Sequence, residues 1–226
     1  YRASLNDGRV IYWGGEKITD VANHPRFRVP IEVACRDYAY DDPALADILT
    51  YRTEDGTTAH RVYQVPRTTE ELEMRLELGR HMTIVGGVTG VYMALLQVRD
   101  RLEAINPRFA HNIERMYLYA RDNDLRAAEV ITDAKGDRSK KAHEQADPDL
   151  YVRIVERRND GIVVRGAKLH ITAAALVHEL VVMPTKAMRP EEADYAVAFS
   201  IPVNTPGVKI INRSFAPADL NEFDYP

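Results

Sequence analysis

Apolar residues recur at helical spacing through the first half of the chain. This periodicity predicts five helical segments, which cover residues 30–38, 43–49, 68–79, 82–97 and 108–123. Thr68 and Glu71 have the three-residue spacing of a capping box, so we expect the third helix to begin there. Gly14 and Gly15 interrupt an apolar run over residues 9–18, which favours a short strand or an extended hairpin.

The second half of the chain has the pattern of strands. Short runs of β-branched residues, separated by Gly, Pro, Asp and Asn, predict strands at residues 128–132, 151–157, 162–172, 176–183, 195–201 and 208–211. An Asn159-Asp160-Gly161 turn predicts that the second and third form a hairpin. Helices followed by strands indicate an α+β fold, with a mainly helical domain over residues 1–125 and a β-domain over 126–226. Residues 214–226 are predicted to be irregular.

Three glycines, Gly86, Gly87 and Gly90, interrupt the fourth helical pattern. Each costs about 1 kcal/mol in a helix relative to alanine. Two interpretations remain open with equal weight, which are close packing of neighbouring backbones and close approach of a ligand.

Composition narrows the class of protein. The chain has 226 residues, a net charge of −4 and one cysteine, Cys35. We therefore expect no nucleic-acid partner, no intramolecular disulfide and no metal site built from cysteines. No apolar run approaches the roughly 18 residues that a membrane span requires, and the start has no signal-peptide pattern. A cytoplasmic location is the default expectation.

The loop at residues 132–139 is the strongest candidate site. Gly136 lies among basic side chains, and backbone N–H groups in such a turn can bind phosphate when lysine or arginine is near. The same composition also fits a solvated surface loop, which is the more frequent case for a run of charges.

The amino-acid sequence of this region resembles that of a known family. TDAKGDRSK at residues 132–140, DPDLYVRIVERRNDGIVVRGAK at 147–168 and the following His170-Ile171-Thr172 are similar to the middle domain of a flavoprotein family. That family includes 4-hydroxybutyryl-CoA dehydratase and the flavin-dependent 4-hydroxyphenylacetate 3-hydroxylases. The resemblance extends from Ser4 to about Pro202.

The resemblance implies an acyl-CoA-dehydrogenase-like fold, with a helical amino-terminal domain and a β-barrel-like middle domain. A third domain, a helical bundle that closes the flavin site and forms the oligomer core, is not recognisable in these 226 residues. We therefore expect the chain to be the first two domains of a longer homo-oligomeric protein, a tetramer.

The resemblance also implies FAD, or reduced FAD supplied by a flavin reductase, as the cofactor. Its contacts are expected at Ile131, Thr132, Asp133, Lys135, Gly136, Asp137, Arg138, Ser139, Lys168 and Thr172. Thr172 is the expected catalytic residue beside the ring, and Lys168, His170 and Thr172 should share one strand face. Glu129 is a candidate acid or base, although a surface glutamate is the simpler interpretation.

The chain departs from both branches of the family. The dehydratase branch ligates an iron–sulfur cluster through two cysteines, for which Val85 and Thr89 stand here, so no cluster is expected. The hydroxylase branch has arginine and tyrosine at those two positions, which contact the substrate, and histidine at Glu129. Val85 and Thr89 are thus the candidate substrate positions. Neither carries the cysteine, arginine or tyrosine side chain that the two branches have there.

Three functions follow from these observations. The first is a monooxygenase that takes reduced FAD from a separate reductase and acts on an aromatic, phenol-type compound. The second is a relative of 4-hydroxybutyryl-CoA dehydratase/vinylacetyl-CoA isomerase that lacks the cluster and acts on an acyl-CoA. The third is a non-catalytic scaffold or a subunit completed by another chain.

Overall fold

The amino-terminal residues form a small sheet with the last strand of the structure. The computed structural model describes residues 1–212. In it β1 (Ile11–Trp13) pairs antiparallel with β2 (Glu16–Ile18) and parallel with β10 (Ile210–Asn212). Gly14 and Gly15 both have positive φ, 57° and 88°, as the two-residue turn between right-twisted strands requires. Of the two structures predicted for residues 9–18, a short strand or an extended hairpin, the hairpin is the one that forms.

Six α-helices lie between residues 28 and 122. They are α1 (Arg28–Ala34), α2 (Ala46–Leu49), α3 (Thr69–His81), α4 (Ile84–Val88), α5 (Val91–Ile105) and α6 (Pro107–Asp122). The hydroxyl of Thr68 accepts from Glu71 N at 3.2 Å and caps α3 as predicted, but the Glu71 carboxylate accepts from Arg67 N instead of Thr68 N. Between α2 and α3, β3 (Thr50–Arg52) pairs antiparallel with β4 (Thr58–His60).

The predicted helix at 82–97 is divided into α4 and α5 at its glycines. A Cβ atom on Gly86 would lie 2.9 Å from Asp37 Oδ2, and the Gly86 N–H donates to that same oxygen at 2.8 Å. Asp37 also accepts from Thr83 N at 2.8 Å, so its buried carboxylate caps α4. At Gly86, close packing is thus the interpretation that the structure supports.

The other strands of the second half form one three-stranded sheet and one hairpin. The sheet has the order β5 (Ala127–Val130), β8 (Glu179–Val182), β9 (Phe199–Pro202), with β5 parallel and β9 antiparallel to β8. The hairpin pairs β6 (Arg153–Arg157) with β7 (Ile162–Arg165). The α+β class is confirmed, but within residues 1–212 the sheets remain separate and do not close into a barrel.

The strand predicted at residues 162–172 is wrong in its second half. β7 ends at Arg165, and Gly166 follows with φ 144°. A Cβ there would lie 2.5 Å from Tyr151 O, so only glycine fits this crossing. His170 and Ala173 also have positive φ, 57° and 60°. Alternation is therefore lost, and Lys168, His170 and Thr172 do not share a strand face.

Two apolar clusters pack on opposite faces of the β5–β8–β9 sheet. One joins Leu5, Ile11 and Ile31 to Val130 and Val177. The other packs helix residues against the second face, and its buried members are Leu49, Val62, Tyr63, Leu78, Val91, Tyr92, Ala120, Ala127 and Val181. Both clusters contain residues from before and from after position 125. The division into two domains at that position stays a prediction. Among residues 1–212, none of the helices is both long and apolar enough to cross a membrane.

Candidate functional site

The basic glycine loop and the segment before Thr172 lie side by side. Asp133 and Lys168 form an antiparallel bridge, and Leu169 N donates to Thr132 O at 2.8 Å. The loop follows β5 directly, so the end of one sheet strand carries it. Two segments that are distant in sequence thus form one surface, as a site for a single ligand requires.

Asp133 and Lys168 form a buried ion pair at this junction. Lys168 Nζ lies 2.8 Å from Asp133 Oδ1 and donates to the carbonyls of Ile131 at 2.7 Å and Met183 at 2.8 Å. Burial lowers the pKa of Lys168, and the Asp133 carboxylate opposes that shift. Thr185 Oγ1 donates to Asp133 Oδ2 at 2.6 Å. The ammonium group therefore uses all three of its N–H bonds inside the protein, and it holds the loop in place.

The conformation of the loop depends on a buried glutamine. Gln145 Oε1 accepts from Asp137 N at 3.0 Å, and Gln145 Nε2 donates to Asp137 O at 2.8 Å. Lys135 and Gly136 have positive φ, 66° and 52°, which turns the chain around this side chain. A Cβ on Gly136 would lie 2.5 Å from Gln145 Oε1 and from Leu150 Cδ1. Glycine is required there by both space and backbone angle.

The charged side chains in and next to the loop differ in whether they form salt bridges within the protein. Ser139 donates to Asp137 Oδ1 through its hydroxyl at 2.7 Å and its N–H at 2.9 Å, and these bonds lower the pKa of Asp137. Lys140 lies 3.9 Å from Asp137, and Lys141 pairs with Glu191 at 2.9 Å. In the described part of the chain, the salt bridges of this loop do not involve Lys135 or Arg138.

Thr172 is exposed, in a turn that follows Leu169, the residue whose N–H donates to Thr132 O. It lies between His170 and Ala173, whose positive φ values bend the segment. Its neighbours Ile171 and Ala173 are packed against the apolar cluster under the sheet. The turn is thereby anchored, and the Thr172 side chain faces outward, where a ligand can reach it.

The other three predicted site residues are placed elsewhere. Glu129 is exposed on β5, beside Val181 of β8. Val85 is fully buried, and Thr89 is buried with its hydroxyl donating to Val85 O at 2.8 Å and accepting from Ala127 N at 3.2 Å. Neither side chain reaches the surface of residues 1–212, so the structure gives their predicted substrate contact no support.

The adjacent face of α4 is the exposed one. Ile84 is 60% exposed, and Val88, four residues later, is half-buried. Residues four apart lie on one helix face, so a ligand that approaches α4 meets this pair, one position before the predicted pair. Packing of α4 against β5 and α1 decides which of its two faces is buried. The apolar pattern of the segment did not reveal this packing.

Several polar residues of the site were missed in the sequence. Gln145, Thr185, Glu179 and Glu192 are each buried or half-buried and hydrogen-bonded. Ser200 Oγ lies 3.0 Å from Glu179 Oε2, and burial of Glu179 raises its pKa. A polar residue whose partners are distant in sequence has no local pattern, so none of these four could be found from the sequence.

The arrangement of these residues fits a flavin in part. Lys135 and Arg138 can attract a diphosphate, and the Thr172 hydroxyl can bond to a ring atom. Lys168, Asp133 and Ile131 engage one another and position the loop. The side chains that could hold such a cofactor are therefore those of Lys135, Arg138 and Thr172.

Comparison with known proteins gives a consistent result. The family model described as 4-hydroxyphenylacetate 3-hydroxylase N terminal matches residues 1–226. The 4-hydroxybutyryl-CoA dehydratase/vinylacetyl-CoA-Delta-isomerase of Clostridium aminobutyricum is 34% identical over 214 residues, which are 89% of this chain and 43% of that protein. The 4-hydroxyphenylacetate 3-monooxygenase oxygenase component of Geobacillus sp. (strain PA-9) is 33% identical over 230 residues, 96% of this chain and 46% of that protein.

A solved structure agrees with this pattern. The oxygenase component of 4-hydroxyphenylacetate 3-monooxygenase complexed with FAD superposes with a TM-score of 0.80 at 28% identity, over 93% of this chain and 46% of that one. The chain thus spans about half the length of the relatives that it matches.

Proposed function

Because the chain belongs to the 4-hydroxyphenylacetate 3-hydroxylase family, we propose that the protein is a flavin-dependent oxidoreductase. Its reaction is the hydroxylation of a phenol-type aromatic compound with reduced FAD that a separate flavin reductase supplies. The observation that carries this proposal is the junction of the loop at 132–139 with the Thr172 turn, through the Asp133–Lys168 bridge. Reduced FAD supplies the electrons for oxygen activation when it is bound.

The residues of the chain have separate roles in this proposal. Lys135 and Arg138 bind the diphosphate, and loop N–H groups around Gly136 complete that contact. The Thr172 hydroxyl would bond to the flavin ring and orient a proton there. The Asp133–Lys168 pair acts indirectly, because it holds the loop and the turn at a fixed separation.

Glu129 is proposed as the group that exchanges a proton with the substrate. Its exposure on β5 leaves the carboxylate accessible to a molecule that lies over the sheet edge. Ile84 and Val88 form the apolar wall that such a molecule would meet on α4. Val85 and Thr89, the pair predicted from the resemblance, then set the position of that wall from behind, through the bond from Thr89 Oγ1 to Val85 O.

A homo-oligomer completed by a carboxy-terminal helical domain is part of the same proposal. Large apolar side chains on three helices support it, since they are exposed in residues 1–212. They are Leu72 (48%) and Leu76 (67%) on α3, Ile105 (74%) on α5, and Phe109 (45%) on α6. Exposed apolar residues that adjoin, such as Leu72 and Leu76 one turn apart on α3, are typical of surfaces that another domain or subunit covers.

A cluster-free isomerase or lyase that acts on an acyl-CoA is the second candidate. The 34% identity to the Clostridium aminobutyricum dehydratase favours it. The dehydration chemistry that depends on an iron–sulfur cluster is disfavoured, since Val85 and Thr89 stand at the ligand positions and Cys35 is the one cysteine of the sequence. A scaffold without catalysis is the third candidate.

One experiment separates the three functions. The purified full-length protein, with its proposed carboxy-terminal domain, is given FAD, a flavin reductase and NADH, and oxygen uptake and hydroxylated product are measured with a panel of phenols. In parallel, migration of the double bond in vinylacetyl-CoA is measured with oxidised FAD. Hydroxylated product that disappears in Thr172→Val supports the monooxygenase. Isomerised thioester without hydroxylation supports the second function, and absence of FAD binding refutes both.

A further inference from the structure

The turn that carries Thr172 has two residues in a backbone region that side chains disfavour. His170 and Ala173 have φ values of 57° and 60°. A residue with a Cβ atom adopts such angles roughly tenfold less readily than right-handed ones. They persist only where the surrounding structure holds them in place. The turn therefore depends on contacts that act on the residues beside it.

An arginine holds the carboxy-terminal side of this turn. Arg9 Nη1 donates to the carbonyls of Ala175 and Val177, both at 2.9 Å. Arg9 is 5% exposed, and its Nε and Nη2 donate to the two oxygens of the Asp7 carboxylate, each at 2.9 Å. A planar guanidinium that is bonded to a carboxylate at two points has a fixed orientation. It therefore fixes the two carbonyls that it contacts.

A tyrosine holds the carbonyl between these two. Tyr1 Oη donates to Leu176 O at 2.7 Å. The N–H of the same leucine donates to Ala173 O at 2.8 Å, and this bond closes the turn. The three consecutive carbonyls of residues 175–177 thus accept from side chains of residues 1–9, and one of these three residues is bonded directly to the turn.

We propose that Arg9 is a positioning residue of the reaction, which fixes the turn so that the Thr172 hydroxyl stays at the flavin ring. This role rests on the proposed function, in which that hydroxyl bonds to the ring. Thr172 lies between the two residues with positive φ, so relaxation of either one to negative φ would move its side chain. Arg9 lies 166 residues before Ala175, and no local pattern in the sequence indicated the contact.

Arg9→Lys in the full-length protein tests this role. Lysine keeps the charge beside Asp7, but one ammonium group cannot reproduce the planar fork of a guanidinium. Backbone amides of residues 170–177 should exchange hydrogen for deuterium at least about tenfold faster, because the turn opens more often. The kcat for hydroxylation should fall about tenfold, while the KM for the phenol changes less than about twofold, since the apolar wall on α4 is unaltered.

Arg75→Lys is the matched control. Arg75 Nη1 also donates to three backbone carbonyls, those of Arg61, Val62 and Gln64, at 3.1, 3.0 and 3.1 Å. These carbonyls belong to another segment of the chain. The control should lower Tm without a change in kcat or in the exchange of residues 170–177, whereas Arg9→Lys should change all three.

A second substitution separates positioning from general destabilisation. Glycine adopts positive φ without a steric cost, so Ala173→Gly in the Arg9→Lys background should recover at least about threefold in kcat. A loss of activity caused by destabilisation alone would not be recovered in this way. If Arg9→Lys does not fold, Asp7→Asn takes its place, because it loosens the guanidinium and leaves it present, and it should shift exchange and kcat in the same directions.

Unchanged exchange of residues 170–177 in Arg9→Lys, or faster exchange with an unchanged kcat, would overturn the proposal. Failure of the proposed function gives a different result. A wild-type protein that hydroxylates none of the phenols, while Arg9→Lys still accelerates exchange in the turn, counts against the oxidoreductase and leaves the contact between Arg9 and the turn established.

Discussion

Replacement of Lys168 by methionine should destabilise the fold strongly, although the residue was predicted to contact the cofactor. In the variant, the Asp133 carboxylate, which is 2% exposed, keeps Thr185 Oγ1 at 2.6 Å and Val152 N at 3.3 Å but loses its cation at 2.8 Å. Removal of one partner from a buried ion pair costs about 3–5 kcal/mol. The carbonyls of Ile131 and Met183 also lose their donor, which adds to that cost.

Urea unfolding, followed by circular dichroism, measures the effect. For a chain of this size, a loss of about 3–5 kcal/mol lowers Tm by roughly 10 °C. Lys140→Met is the matched control, because Lys140 is exposed and lies 3.9 Å from Asp137, so its loss should change the free energy of unfolding by less than about 0.5 kcal/mol.

A double variant isolates the ion pair itself. Asp133→Asn in the Lys168→Met background removes the uncompensated charge and should recover at least half of the loss, since neutral replacement of a buried pair is often tolerated. The reasoning is refuted if Lys168→Met unfolds like the wild type but loses FAD affinity, because the lysine would then act on the cofactor and not on the fold.

Three further changes have expected outcomes. Burial, reinforced by nearby arginine charges, lowers the pKa of His178 from 6.5 to about 4. Protonation therefore favours the unfolded state, and the free energy of unfolding should fall by about 3 kcal/mol between pH 6.5 and pH 4 from this group. Urea titrations across that range check it, and an undiminished slope in His178→Gln would contradict it. Gly136→Ala should cost about 1–3 kcal/mol in the same assay, because its Cβ would meet two side chains at 2.5 Å with φ at 52°. Gly161→Ala, which has open space, is its control, and equal losses in both would remove the argument from close contact. Thr172→Val should lower product formation with reduced FAD more than about tenfold while Tm stays within roughly 1 °C, as the side chain is exposed. Thr172→Ser should retain activity, and a Thr172→Val enzyme as active as the wild type would exclude the hydroxyl from the reaction.

The sequence predicted those elements that depend on residues adjacent to one another in the chain. Gly14-Gly15 indicated a hairpin because both residues adopt positive φ, and Thr68 indicated the start of α3 because its hydroxyl caps Glu71 N. The loop at 132–139 and the Thr172 turn were expected to meet; the bridge of Asp133 to Lys168 joins the loop to a segment four residues before Thr172, and the meeting at Thr172 itself stays a prediction. The individual cofactor contacts in that loop stay predictions.

Features set by distant contacts could not be predicted. The strand expected at 162–172 ends early because Gly166 crosses Tyr151, a contact that no alternation of apolar residues encodes. The buried sides of Val85 and Thr89 depend on how α4 packs against β5. From the sequence, Lys168 was predicted to contact the cofactor. Its ammonium group instead donates to carbonyl groups in two other segments of the chain.

The parallel pairing of β1 with β10 has a consequence for biosynthesis. Ile11 leaves the ribosome early, whereas its partner Ile210 is among the last of the described residues to be translated. The first hairpin must therefore wait, with one edge unpaired, until residue 210 has emerged. Nascent polypeptides that stop near residue 125 should retain an open strand edge and depend on chaperones for their solubility.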